Sequence, residues 1–361
     1  MASFSKLLTS FGKESYLGVD IGTASIKAVE LSVSGGKPTL KNYGILEGYG
    51  HLERVNNAIQ TSGLKLVDRQ TAELLKRLMD EMKPDSTDVI ASLPAFSAFT
   101  SLLEIPVMSK EETAQAMQYQ AKTFVPLPLT DVTIDWIPVN EFEDADGVKK
   151  QQVFLISVPN EQIEKYKSVF KSVGLNLRFL EVETMSLARV LTKGDKINSL
   201  LIDIGARSTA IGVASGGLVK YSAQTDFAGA AMTQAITKGL GINIRRAEDL
   251  KRQKGLAGAG GEYQLSTLML PYVDVILNEV RRVRDIYEKN YHDRIERIIV
   301  SGGGANLVGI DKYISDQMGK LPAIKANPFD KIGYPPGFSP FASDLGPALA
   351  VALGLGMKQF S

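Results

Sequence analysis

Cysteine is absent from all 361 residues. Disulfides, thiol nucleophiles and thiolate-bound metals are therefore excluded together. Histidine is nearly as scarce, since His51 and His292 are the only two. That leaves almost no material for a histidine-ligated metal centre or a Ser-His-Asp triad. An excess of charge of either sign is missing too, with 41 Lys plus Arg against 40 Asp plus Glu. Net charge therefore gives no electrostatic reason to expect nucleic acid as a partner. No uninterrupted apolar run reaches the roughly 18–20 residues of a bilayer-spanning helix. The nearest run, residues 345–357, is shorter and rich in Gly and Ala. The N-terminus, with Lys6 and Lys13 around a short apolar mix, does not read as a secretory signal, and a cytoplasmic location is expected. Chemistry falls to carboxylates, hydroxyls, amides, lysines or a bound ion.

What the chain does have is a likeness to itself. Residues 17–25 read LGVDIGTAS and residues 200–208 read LLIDIGARS. At this offset Leu17, Asp20, Ile21, Gly22 and Ser25 align with Leu200, Asp203, Ile204, Gly205 and Ser208. Each copy opens a strand–turn–strand pattern near the start of one half of the chain. Two similar domains facing each other are expected, rather than a solenoid of short repeats. In the first half, alternation and β-branched content predict strands over 16–21, 25–31, 39–46 and 88–93, with a helix over 71–82. In the second half strands are predicted over 200–204, 209–214, 218–222 and 298–300, and a helix near Leu307. The division expected is a first core of 15–94 with 154–196, an insert at 95–153, a second core of 197–234 with 295–361, and a helical insert at 235–294. Residues 255–261 are glycine-rich and read as a flexible connection.

A phosphate chain with magnesium needs clustered backbone N–H donors, room for close approach, and carboxylates that hold metal-bound water. Glycine supplies the approach, and tight turns form anion nests. Residues 20–23, DIGT, and 203–206, DIGA, fit that need twice, and Asp20 and Asp203 are placed to share a magnesium ion through its waters. A lone copy would read as an ordinary hairpin turn; two at matching positions favour phosphate. Ser301 and the run Gly302, Gly303 and Gly304 come after a predicted strand and supply a third loop at a helix start. No Walker loop occurs.

Two strand–turn loops and a strand–glycine–helix loop, in this order, resemble the actin-like ATPase superfamily, which includes actin, DnaK-type chaperones, hexokinase-like sugar kinases, MreB and FtsA. Within it the chain resembles the PilM family of cytoplasmic proteins of type IV pilus assembly. That resemblance spans most of the chain: YLGVDIGTASIKAVEL at 16–31, LEIPVMSKEE at 103–112, FVPLPL at 124–129, NEVRR at 278–282 and ANPF at 326–329. It implies an α/β actin-like ATPase fold of duplicated ribonuclease H-like domains. An FtsA-like insert belongs to the first lobe and a helical insert to the second.

The same resemblance implies ATP and Mg2+ as ligands. It carries nucleotide contacts onto Asp20, Gly22, Thr23, Ala24 and Lys27, then Asp203, Gly205, Ala206, Ser208 and Thr209, and finally Gly302, Gly303 and Gly304. Glu248 falls to the ribose hydroxyls and Lys251 to the adenine side; without the other motifs they read as a salt-bridged helical pair. Glu183 resembles a water-orienting glutamate, with Thr184 where a proline is often next; capping of the helix after it is the equal alternative. Slow or negligible ATP turnover is expected. The implied partners are the cytoplasmic N-terminal tail of the inner-membrane protein PilN and other pilus platform proteins, with membrane association through them. Phe96, Phe99, Tyr119 and Phe124 are compatible with a groove for that tail, packing of the insert's core being the favoured reading for most of them. An FtsA-like division protein or a small-molecule kinase of the superfamily are the competing functions. Phe4, Leu7, Leu8 and Phe11 have helical amphipathic spacing, open to a membrane, a partner or the chain's own surface.

Overall fold

The structure, a computed structural model, describes residues 15–48, 64–144, 146–256, 263–291 and 293–360. The amphipathic stretch at 4–11 and most of the glycine connection at 255–261 lie outside the described residues.

The chain opens with an antiparallel meander of β1 (Ser15–Ile21), β2 (Ser25–Ser34) and β3 (Lys37–Glu47). The helix α1 (Leu64–Met82) then returns the chain to β4 (Asp88–Leu93), which lies parallel to β1. All six residues of β4 are buried, as expected of a central parallel strand covered on both faces. An excursion leaves the sheet through β5 (Phe99–Pro106), α2 (Lys110–Phe124), β6 (Val132–Glu143) and β7 (Lys149–Pro159). The chain rejoins the first sheet by α3 (Asn160–Ser172) and β8 (Asn176–Val182), giving the order β3-β2-β1-β4-β8.

After α4 (Glu183–Thr192) the plan repeats. β9 (Ser199–Ile204), β10 (Thr209–Ser215) and β11 (Leu218–Thr225) form the second meander. Then come α5 (Gly229–Leu240), α6 (Ile244–Lys254), α7 (Tyr263–Tyr291), β12 (Arg297–Ser301), α8 (Ile310–Gln317), β13 (Ala323–Lys325) and α9 (Ser339–Gly356). The second sheet has the order β11-β10-β9-β12-β13. Strand for strand it matches the first, so the short repeat in the sequence marks a duplicated sheet.

The helix α9 crosses back. It comes after β13 of the second sheet but packs on β1, β2 and β4 of the first and on α4. Leu349 and Leu353 share a core with Val29, Leu31 and Leu40. Approach is so close at Gly18 that an added Cβ would sit 2.0 Å from the Ala352 carbonyl oxygen. Among the described residues this segment, 336–360, is also the one with the length and apolarity of a membrane span. Its burial against the sheets accounts for that apolarity. A buried charge cluster ties the end of this segment to β8 and α4. There Glu181 accepts hydrogen bonds from Arg189 at 2.8 Å and from Lys358 at 2.6 Å, and Arg189 also donates to the Gly354 carbonyl at 2.9 Å.

The excursion builds its own antiparallel sheet, β5-β7-β6, backed by α2. Ser109 opens α2 with a capping box closed by Glu112, worth about 1 kcal/mol. β7 runs on to Pro159, past the boundary expected at 153, because its last residues still pair with β5 and β6. This sheet also touches β11, the edge strand of the second half. Its core is Leu103, Ile105, Met117, Ala121, Val125, Val132, Val153 and Leu155. Core packing is therefore not the role of the aromatic residues considered for the tail groove. Phe96, Phe99, Tyr119 and Phe124 are exposed by 49%, 37%, 70% and 47%.

Candidate functional site

β1 and β9 each carry an aspartate next to their last residue, ahead of a tight turn into the next antiparallel strand. The two turns close alike: Gly22 N–H donates to the Ser25 carbonyl at 3.0 Å, and Gly205 N–H donates to the Ser208 carbonyl at 3.1 Å. Those two glycine N–H groups are thus used inside their turns, which corrects the simplest nest picture. The second turn also receives α5, whose Gly229 and Ala230 N–H groups donate to the carbonyls of Gly205 and Ala206. Thr209, expected to contact the ligand, is fully buried and its hydroxyl donates to the Phe227 carbonyl at 2.7 Å. It is a strut of the turn.

The aspartates are held by two serines, of which sequence reading placed Ser301 in the glycine loop without this role and left Ser92 out. Ser92 Oγ donates to Asp20 Oδ1 at 2.8 Å, and Ser301 Oγ donates to Asp203 Oδ1 at 2.7 Å. One signal existed for Ser92, a hydroxyl inside the otherwise apolar end of β4. Lys27, opposite Asp20 across β1 and β2, reaches Asp20 Oδ2 at 3.3 Å. Burial lowers the Lys27 ammonium, but Asp20 and Asp203 outweigh it and hold its pKa above the ordinary lysine value. Asp203 is pushed up by burial against the opposing pull of Ser301 and Lys27.

Glu183 joins this group. Burial, then the charges of Asp203 and Asp20, push its carboxyl up to about 8. The capping alternative does not hold: Val182 is the N-cap of α4 and Glu183 the first helical residue. Its Oε1 instead accepts a hydrogen bond at 3.3 Å from Ala95 N–H, at the start of the excursion. Tyr166 on α3 was also missed; burial and the charges of Asp20 and Glu183 raise its hydroxyl well above the usual tyrosine range.

Lys27 leads from these carboxylates into a cleft of about 750 Å3, within the range of pockets that bury a small organic ligand. Both halves line it. Ala24, Ser25, Lys27, Glu47 and Gly48 come from the first, and Gly205, Ala206, Gly229, Glu248, Lys251, Gly303, Gly304 and Asn306 from the second. Asn243 caps α6 by accepting from Arg246 N–H, and so presents Glu248 and Lys251. Their salt bridge is 2.6 Å, and both bond Thr233. Burial raises Glu248, but Lys251 outweighs it and leaves the carboxylate below its ordinary value. The helical pair and the cleft lining are one feature. Arg252 spans the mouth, bonding Glu248 on its own helix and Glu47 of the other half at 3.3 Å. Of the expected contacts, Asp20, Gly22, Thr23, Asp203, Ser208, Thr209, Gly302 and Glu183 lie outside the cleft lining itself.

The glycine run differs from expectation in one respect. It forms a 3-10 turn, Gly303–Asn306, and the α-helix begins only at Ile310. Gly302 has φ +78°, and a Cβ there would lie 2.5 Å from the Ile204 carbonyl oxygen; at Gly304 it would lie 2.4 Å from the Ile204 side chain. Gly303 meets nothing within 4 Å. Gly302→Ala is expected to cost about 2–3 kcal/mol through strain and overlap, whereas Gly303→Ala leaves stability within about 0.5 kcal/mol. Urea unfolding of the pair checks this, and equal losses would refute the contrast.

Among the described residues, no three His, Cys, Asp or Glu side chains are grouped as a protein-only metal shell. Two separated aspartates beside a cleft suit an ion that keeps water and takes oxygens from a phosphate, as magnesium does.

Duplicated 3-2-1-4-5 sheets, with paired aspartate turns beside one cleft, define an actin-like ATPase fold. Residues 18–360 match the family described as type IV pilus assembly protein PilM, and the chain belongs to that family. Among solved structures, a PilM-PilN type IV pilus biogenesis complex is similar, with TM-score 0.79, 22% identity, and 96% of this chain and 98% of that chain covered. MreB5 of Spiroplasma citri bound to AMPPNP gives TM-score 0.54 at 17% identity, covering 97% and 96%. The ethanolamine utilization protein EutJ from Carboxydothermus hydrogenoformans gives 0.51 at 17%, covering 96% and 90%.

Proposed function

We propose that the chain binds ATP with Mg2+ in the interlobe cleft and, through the excursion at β5–β7, docks the cytoplasmic N-terminal tail of PilN. The observation that carries the nucleotide part is the meeting of both aspartate turns around Lys27 at the edge of one cleft. Asp20 and Asp203 would hold waters of the ion, which supplies charge neutralisation of the phosphates when bound. The turns at 22–25 and 205–208 and the glycines at 302–304 surround the phosphates, and Lys27 adds the positive charge. Glu248 and Lys251 face the ribose and adenine. Glu183 is the group available to orient water, and its raised pKa keeps it protonated near neutrality in the free protein. A protonated carboxyl is a poor base, so turnover by the isolated chain is expected to be slow.

The tail reading rests on the exposed aromatic side chains of the excursion and on family membership. Through PilN and other platform proteins the chain would work in the cytoplasm at the inner face of the membrane. Calorimetric titration with ATP and excess Mg2+ tests the nucleotide part. One site per chain is expected, with binding weakened at least about 100-fold by the pair Asp20→Asn and Asp203→Asn, each removing a charged hydrogen-bond acceptor. Unchanged affinity in that folded double variant would refute the cleft assignment. For the tail, Tyr119→Ser should weaken a synthetic PilN tail peptide, and unaltered binding by variants at Phe96, Phe99, Tyr119 and Phe124 together would move the surface elsewhere.

A further inference from the structure

The paired aspartates look equivalent, but their surroundings are not. Ser92 and Ser301 are both buried, 1% and 0% exposed. Each stands on the parallel strand beside its aspartate. Ser301 is in direct register with Asp203; Ser92 follows Ala91, the partner of Val19, as Asp20 follows Val19. The arrangement recurs although the serines do not fall at the offset that relates the two aspartate turns, because the segments between β1 and β4 and between β9 and β12 differ in length. Position in the sheet, rather than copied sequence, sets both contacts.

What differs is the second carboxylate oxygen. At Asp20 both oxygens are taken, Oδ1 by Ser92 at 2.8 Å and Oδ2 by Lys27 at 3.3 Å. At Asp203 only Oδ1 is bonded, by Ser301 at 2.7 Å, and among the described residues no protein donor reaches Oδ2. The position corresponding to Lys27 beside Asp203 is Ala210. A hydroxyl bond fixes the rotamer of a carboxylate, and outer contacts of this kind tune the affinity of an ion held through it. Gly302 backs the same carboxylate, since a Cβ there would lie 2.9 Å from Asp203 Oδ1.

The geometry points to Ser301 as the positioning residue for the divalent cation: it fixes Asp203 with its second oxygen open to the ion's water, whereas Ser92 and Lys27 occupy both oxygens of Asp20 and leave it the lesser share of that water. This rests on the nucleotide reading above and adds to it an order between the two aspartates. A purely structural serine would change binding with and without metal by the same factor. A positioning serine changes the ratio between them.

The test is ATP affinity measured by calorimetry in excess Mg2+ and again in EDTA, for the full chain, Ser301→Ala and Ser92→Ala. Melting of each variant without nucleotide serves as the check on folding. The metal-dependent gain is expected to fall about ten-fold in Ser301→Ala, in line with losses of outer-sphere partners. The same gain should stay within about two-fold of the original in Ser92→Ala. A Ser301→Ala variant that keeps the full gain overturns the inference, and so does an equal fall in both variants. If the unaltered chain binds ATP no better with Mg2+ than with EDTA, the nucleotide reading fails and this inference falls with it.

Discussion

Gly18→Ala is expected to lower stability by about 3 kcal/mol, although it adds only one methyl group to a β-strand. The added Cβ would sit 2.0 Å from the Ala352 carbonyl oxygen and 2.7 Å from the Gly356 N. Both are backbone atoms of α9, so no rotamer change relieves the overlap, and the helix must lift from β1. Gly354 blocks a compensating slide, because its backbone lies so near α4 that a Cβ there would sit 2.1 Å from the Ser186 carbonyl oxygen. Dense interiors have little slack to absorb such a shift. Gly337, which has open space around its Cβ position, supplies the control: Gly337→Ala should stay within about 0.5 kcal/mol. Urea unfolding of the two variants decides the matter. Similar midpoints would mean that α9 does not seat on β1 as described.

Glu183→Gln is expected to stabilise the free protein at pH 8 and to do so far less at pH 5. The folded pKa of Glu183, about 8, lies above the ordinary value of about 4.3 for an unfolded glutamate. Between those values the folded state holds a proton that the unfolded state has released. Stability therefore falls as pH rises across that window, being fully present below about pH 4 and lost as pH passes the folded pKa. Glutamine is the neutral form made permanent, and its oxygen can still accept from Ala95 N–H. The difference at pH 8 should be on the order of 2–4 kcal/mol, after discounting for the partly open setting of the side chain and its coupling to Asp20 and Asp203. Denaturant titrations from pH 5 to 9 would show a flatter profile for the variant. Parallel profiles would mean that Glu183 is ionised throughout.

Much of the fold was legible because the repeated aspartate turns carry their own geometry. A DIG sequence at the end of an apolar strand specifies both the hairpin and the backbone approach, and it did so twice. The glycines at 302 and 304 were legible for the same reason, but the start of α8 was not. Residues 303–306 form a tighter turn, with Gly302 and Gly304 close against Ile204, and no residue pattern announces that. α1 begins at Leu64 rather than at 71. Ser92 was legible only as an odd hydroxyl in an apolar strand and not as a partner of Asp20, which is on a strand 72 positions away in the chain. Cross-strand register of parallel strands is decided by the whole sheet. The aromatic residues at 96, 99, 119 and 124 were assigned mainly to a core because apolar side chains usually are, yet aliphatic side chains already fill that space.

The path of α9 has a consequence for how the molecule comes into being. Chains emerge from synthesis N-terminus first, and domains generally fold as they are completed. Here the first sheet is complete once β8 is made, yet the helix that shields Val29, Leu31 and Leu40 lies at residues 339–356. The first sheet therefore waits, with one apolar face bare, until residues 339–356 have been added. Its partner half, made later, has most of its own covering helices in place by then. Order of manufacture and order of consolidation run in opposite directions, and loss of α9 would bare the first sheet and also open its shared core with Leu201 and Ile299 of the second half.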